Sequence, residues 1–223
     1  MRLLVRTFSE LCITIGTLIV LFVVYVMFWT GVRAEGATAG QIDTLEREWV
    51  EQPVPDAAAA PPPPKAYTPG RGIAVMYIPR LGKDWEWPVL EGTATATLKK
   101  GLGHYPATAR LGGTGNFAVA GHRRTYGDPF KDFPRLRPGD AVVLTDGTTW
   151  YTYTIARKPY RTVPTDIGVI DPVPPKSGFD GPGRYLTLTT CEPEWGSSHR
   201  LIAWAHLDAT RPVTQGKPPA LTG

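Results

Sequence analysis

Between Leu11 and Trp29 nineteen consecutive residues carry no charge and most are apolar. At helical rise such a run crosses the hydrocarbon core of a bilayer, and it predicts a transmembrane helix. A cleaved leader has a shorter apolar run followed by small residues; Ala34 and Ala37 leave that alternative open, and the length of the run favours a retained anchor. From Thr38 to Glu51 the apolar positions change period: Ile42, Leu45 and Trp49 recur at helical spacing among charges and predict a short amphipathic stalk helix. Gln52 to Pro69 breaks the pattern with Pro53, Pro55, an alanine run and Pro61 to Pro64, the composition of a semi-rigid extended spacer that holds a folded domain off the membrane.

Beyond the spacer the period falls to two. Ile73 to Ile78, Asn116 to Ala120, Ala141 to Thr145, Thr148 to Ala156, Tyr185 to Thr190 and Arg200 to Leu207 are rich in Val, Ile, Thr, Tyr and Trp and are bounded by Gly, Pro and Asp, which predicts strands. Asp146-Gly147 between two of them predicts a tight hairpin. Short helical signals occur at Thr93 to Lys100 and Asp128 to Leu136. The fold class is mainly β with short helices, and the edges of a sheet of this size predict a closed barrel. The organisation that follows is 1–10 cytoplasmic N-terminus, 11–29 anchor, 30–69 stalk helix and linker, 70–212 catalytic domain and 213–223 flexible tail.

Charge adds an orientation. Arg2 and Arg6 precede the apolar run with only Glu10 against them, which predicts a single-pass protein with its N-terminus in the cytoplasm and its domain outside the cell membrane. Residues 70–223 hold 19 Lys and Arg against 13 Asp and Glu, a net of +6. This excess suits an anionic envelope but is scattered like a solvated surface, and no nucleic-acid motif accompanies it.

Outside the apolar run the chain has one cysteine, Cys191, at the end of Thr187-Leu188-Thr189-Thr190-Cys191. It has no second exported cysteine to pair with, and a free cysteine often only fills core space. A nucleophilic thiol needs a base or a positive charge nearby. His122 closes the run Phe117-Ala118-Val119-Ala120-Gly121-His122 at a strand end, where the glycine relaxes the backbone, and Arg200 opens the next strand. His104, His199 and His206 compete with His122, and no spacing among them reads as a zinc site. Alternation places Tyr185, Thr187, Thr189 and Cys191 on one face and Arg200, Ile202, Trp204 and His206 on another, so that thiol and guanidinium meet if the two strands are neighbours. The order His122, Cys191, Arg200 differs from that of papain-like enzymes, where the cysteine comes first.

Thr187-Leu188-Thr189-Thr190-Cys191 resembles the sortase signature Thr-Leu-x-Thr-Cys, Arg200 lies where that family keeps its arginine, and Ala120-Gly121-His122 resembles its histidine motif. Gly103-His104-Tyr105-Pro106 and His122 to Phe130 are similar to the class E branch of high-GC Gram-positive bacteria. The resemblance implies an eight-stranded sortase β-barrel and a transpeptidase that cuts a C-terminal sorting signal between Thr and Gly through a thioester. In it Cys191 attacks the Thr carbonyl, protonated His122 gives a proton to the leaving amine, and Arg200 holds substrate and oxyanion. Tyr105, Thr190 and Tyr126 are the implied substrate contacts, with Tyr105 reading the Ala of a Leu-Ala-x-Thr-Gly signal in preference to Leu-Pro-x-Thr-Gly. The implied partners are surface proteins bearing such signals and the amine of a peptidoglycan precursor (lipid II). Neither cofactor nor metal is implied.

Asp128-Pro129-Phe130 follows His122 and so differs from the lid of pilin-polymerising sortases, and no second apolar span is expected at the C-terminus. Two other readings of the residues stay open: another exported cysteine transpeptidase of the L,D type, and a membrane-tethered β-barrel binding module with a buried cysteine.

Overall fold

In a computed structural model the described residues are 2–51 and 66–222, so most of the Pro-rich spacer lies outside them. The anchor and stalk expected as separate elements form one continuous helix, α1 (Arg2–Glu51). The first proline of the chain is Pro53, so nothing earlier removes a helical backbone donor, and the helix stops just before it. By length and composition α1 can cross a membrane over Leu4–Tyr25. That window starts earlier than Leu11 and includes Arg6 and Glu10, which pair at 2.9 Å one turn apart. At the other end Ile42 and Leu45 are buried against Val75, with Trp49 and Tyr77 packed beside them, and Glu48 pairs with Arg71.

The domain is a closed sheet. Its strands are β1 (Gly72–Tyr77), β2 (Glu86–Glu91), β3 (Leu102–His104), β4 (Gly115–Ala120), β5 (Ala141–Thr145), β6 (Thr149–Ile155), β7 (Tyr160–Thr162), β8 (Arg184–Glu192) and β9 (His199–Pro212). The order β6-β5-β1-β2-β3-β4-β8-β9 closes through a further pairing of β6 with β9, which gives the eight-stranded ring, and β7 is a ninth short strand on β9. Closure depends on the fourteen-residue length of β9: residues up to His206 pair with β8, and Ala205 to Pro212 pair with β6. Two pairings, β2 with β3 and β4 with β8, are parallel.

Alternation sorts each strand into an inner and an outer face. Phe117, Val119, Leu186 and Leu188 point into the main core, whereas Asn116, Thr187 and Thr189 lie on the outer face of β4 and β8. A second, smaller core covers that outer face, with Val169, Ile202 and Trp204 under Ile170, Tyr160 and Phe179. Its lid is the connection between β7 and β8, which carries a short 3-10 helix, Ile167–Ile170.

The strands absent from the sequence reading have plain reasons. Pro88 interrupts β2, a residue that removes a ladder donor, and β3 and β7 have three residues each. The predicted helical signals condense to α2 (Thr95–Leu98) and a 3-10 turn at Phe133–Arg135. The β5–β6 hairpin turns on Gly147 at φ +87°, with Asp146 Oδ1 accepting from Thr148 N and Thr149 N at 2.9 Å each. The stretch from Val213 on, expected as a tail, forms two 3-10 turns, and Arg211 donates to the main-chain oxygens of Gln215 and Lys217.

Candidate active site

Cys191 and Arg200 are register partners on the antiparallel pair β8 and β9, which places their Cα atoms about 5 Å apart. The neighbour relation that alternation left conditional is therefore direct. Arg200 is fixed by its own loop, Nη1 donating to the oxygens of Ser197 and His199 at 2.9 Å each. That anchoring holds the planar donor fork at the strand start.

His122 follows β4 by two residues and lines the same recess of about 290 Å³ as Cys191, together with Arg123, Arg124, Glu194 and Trp195. The glycine before it is required by packing. A Cβ on Gly121 would stand 2.6 Å from both Leu102 and Phe130, and the expectation that this glycine serves backbone freedom is corrected accordingly; its φ is not in the left-handed region. The main chain is tied on both sides, Gly121 N donating to Thr189 O at 3.1 Å and Phe130 N to His122 O at 3.0 Å. Among the described residues His122 Nε2 is buried with no hydrogen-bond partner. Burial pushes the imidazole below the usual histidine range, Asp128 opposes that shift, and Lys99 reinforces it.

Arg123 lies behind the thiol, 8% exposed, with Nη1 donating to Cys191 O at 3.4 Å and paired with Glu192. Arg124 pairs with Glu194 at 3.0 Å and lies over the Trp195 ring, 4.2 Å from its centroid. Trp195 is 67% exposed at the rim. Arg200 lines a second cleft of about 110 Å³ together with Tyr105, Thr189, Val163, Ile167 and Val169 among others. Tyr105 Oη and Thr189 Oγ1 are 3.2 Å apart.

The expected substrate contacts separate in the structure. Tyr105 lines the cleft. Thr190 does not: it is 2% exposed on the inward face of β8, and its hydroxyl donates to Gly121 O at 2.9 Å. Thr189, one residue earlier and on the face of Cys191, lines the cleft, and the alternation of the strand was the signal for it. Tyr126 stands against His122, ring centroids 5.1 Å apart. The competing histidines are engaged elsewhere. His104 is buried against Glu91 at 2.6 Å, His199 contacts Arg161 and Ser198, and His206 pairs with Asp208 at 2.9 Å on the surface. The cleft wall at 163–170 carried no periodic signal in the sequence.

A half-buried thiol in the recess that an imidazole also lines, paired across the sheet with an anchored guanidinium that lines the second cleft, has the components of acyl transfer by a sulfur nucleophile.

Comparison with known proteins agrees with this arrangement. The Sortase domain family matches residues 76–208. Sortase SrtE1 of Streptomyces coelicolor is 40% identical over 97% of the chain, which spans 60% of that relative's length. The solved sortase E of Streptomyces avermitilis is 74% identical with a TM-score of 0.67, covering 70% of this chain and 99% of its own. The structure of Sortase E1 from Streptomyces coelicolor with a tripeptide in the active site is 41% identical with a TM-score of 0.65, at 70% and 99% coverage.

Proposed function

This chain belongs to the sortase family, in its class E branch, and on that premise we propose that it is a membrane-anchored cysteine transpeptidase acting on C-terminal Leu-Ala-x-Thr-Gly or Leu-Pro-x-Thr-Gly sorting signals. The observation that carries the reading is the direct pairing of Cys191 with Arg200 beside the recess that His122 lines.

The peptide up to its Thr lies in the cleft of Tyr105 and Thr189, and the recess of His122 receives first the Gly side and then the acceptor. Cys191 Sγ, as thiolate, attacks the Thr carbonyl carbon. Arg200 stabilises the oxygen as it becomes an oxyanion. The Thr–Gly bond breaks as imidazolium His122 gives its proton to the departing Gly amine, leaving a thioester on Cys191 and a neutral imidazole. An amine, proposed to be that of a peptidoglycan precursor, then attacks the thioester; His122 takes its proton and the free thiolate returns. The tripeptide in the active site of the related Sortase E1 supports a peptide ligand here. The apolar helix supports a membrane location, with the positive N-terminus inside and the barrel outside.

The test is to incubate the full chain in detergent micelles with a Leu-Ala-x-Thr-Gly peptide, its Pro counterpart and an amine, following products by mass. Cleavage after Thr with amine-capped product is expected; a folded protein that leaves both peptides intact would overturn the reading.

A further inference from the structure

Two loops wall the proposed peptide cleft, and a single buried asparagine is bonded to both. The first wall is the turn from Tyr105 to Ala109, and the second is the turn around Ile167–Ile170. Asn116, on the outer face of β4, is 1% exposed. Its main-chain oxygen accepts from Ala109 N at 3.0 Å, and its Nδ2 donates to Asp171 O at 3.0 Å. Its Oδ1 accepts from Thr187 Oγ1 at 2.9 Å.

Thr187 is fully buried, and its Oγ1 also lies 3.3 Å from Val169 O, which accepts from Trp204 Nε1 at 3.0 Å. Side chains from β4, β8 and β9 thus satisfy the main-chain oxygens of Val169 and Asp171 in a loop that would otherwise bond water. None of the three lines the cleft, whereas Tyr105 on one wall and Ile167, Val169 and Ile170 on the other do.

We propose that Asn116 and Thr187 are positioning residues, forming a buried clamp that fixes the separation of the two cleft walls before the sorting signal arrives. The proposal rests on the reading of this cleft as the sorting-signal site. A wall fixed in advance has less freedom to lose when peptide binds, so the clamp acts on affinity for the signal. It does not touch the reacting atoms, so the chemical step at Cys191 is independent of it.

Thr187→Val keeps the shape of a buried strand residue and deletes the donor, and Thr187→Ser keeps the donor. In the full chain in micelles, Thr187→Val is expected to raise KM for the Leu-Ala-x-Thr-Gly peptide about fivefold to tenfold, the effect of one lost buried hydrogen bond. Its kcat is expected to stay unchanged, the signature of lost uniform binding. Thr187→Ser should restore KM. Amide hydrogen exchange at Ile167 to Asp171 should quicken in Thr187→Val alone, and alkylation of Cys191 by iodoacetamide, followed by peptide mass, should keep its wild-type rate. Unchanged KM with unchanged exchange at Ile167 to Asp171 overturns the clamp. So does exchange that quickens throughout the barrel together with slower alkylation, which marks a merely structural residue. A wild-type protein that cleaves neither peptide, with the local exchange difference intact, counts against the reading of the cleft and upholds the clamp.

Discussion

Tyr126 lies against His122 with ring centroids 5.1 Å apart, and it does so from a left-handed backbone at φ +54° that an aromatic residue rarely adopts. Two residues on, Asp128 repeats that conformation at φ +53°, and Lys99 Nζ stands 5.3 Å from the Tyr126 centroid. The loop after β4 thus brings an aromatic ring and a carboxylate to the imidazole, and Lys99, at the end of α2, adds an ammonium that acts on it.

These neighbours set a pH signature. Burial lowers the His122 pKa, with Asp128 opposing and Lys99 reinforcing the shift. The acid limb of kcat/KM that reports His122 should therefore turn below the ordinary imidazole value of about 6.5. Removing the ammonium by Lys99→Met should move the acid limb up in pH. Asp128→Asn, which tolerates the left-handed backbone, should move it down. Initial rates across pH for the three proteins check both signs.

Arg200 is held through two carbonyl contacts that a lysine cannot reproduce with the same fork. Arg200→Lys should therefore retain charge and fold but lose about 10²-fold in kcat, in the range of a removed oxyanion donor. Steady-state kinetics with the Leu-Ala-x-Thr-Gly peptide is the measurement, and a kcat near wild type would remove Arg200 from the proposed chemistry.

Much of the barrel was legible because its long strands alternate and its hairpin carries Asp146-Gly147. The pairing of Cys191 with Arg200 was legible as a conditional, since periodicity gives the face of a residue and says nothing of which strands adjoin. Thr190 was misplaced for a related reason. The signature Thr-Leu-x-Thr-Cys fixes Thr190 and leaves Thr189 open, whereas the pleat sends the Thr190 hydroxyl inward to Gly121 O and that of Thr189 to the cleft. The wall at 163–170 was illegible because its order comes from Asn116, Thr187 and Trp204, more than thirty residues away along the chain from the oxygens they satisfy in two of the three bonds.

Gly121 tests the packing argument. Gly121→Ala places a methyl group against Leu102 and Phe130, an overpacking that costs about 1–3 kcal/mol. Differential scanning calorimetry should show the barrel's Tm lowered by about 3–10 °C. An unchanged Tm would return this glycine to a backbone role.

Tyr105 tests the reading of the signal. Its ring lines the cleft and its hydroxyl meets Thr189. Tyr105→Ala should change the ratio of kcat/KM for the Ala and Pro peptides by about tenfold, the scale on which pocket contacts discriminate small side chains. An unchanged ratio would assign Tyr105 to packing beside Pro106.

The central claim is that Cys191 carries the acyl group, and the intact mass of the full chain during turnover tests it most directly. With Leu-Ala-x-Thr-Gly peptide and no amine, the protein should gain the mass of the Leu-Ala-x-Thr acyl group. That mass should map to Cys191, disappear when an amine is added, and be absent from Cys191→Ala. Cleavage of the peptide with no acyl mass on the protein, or with that mass on another residue, would contradict the account.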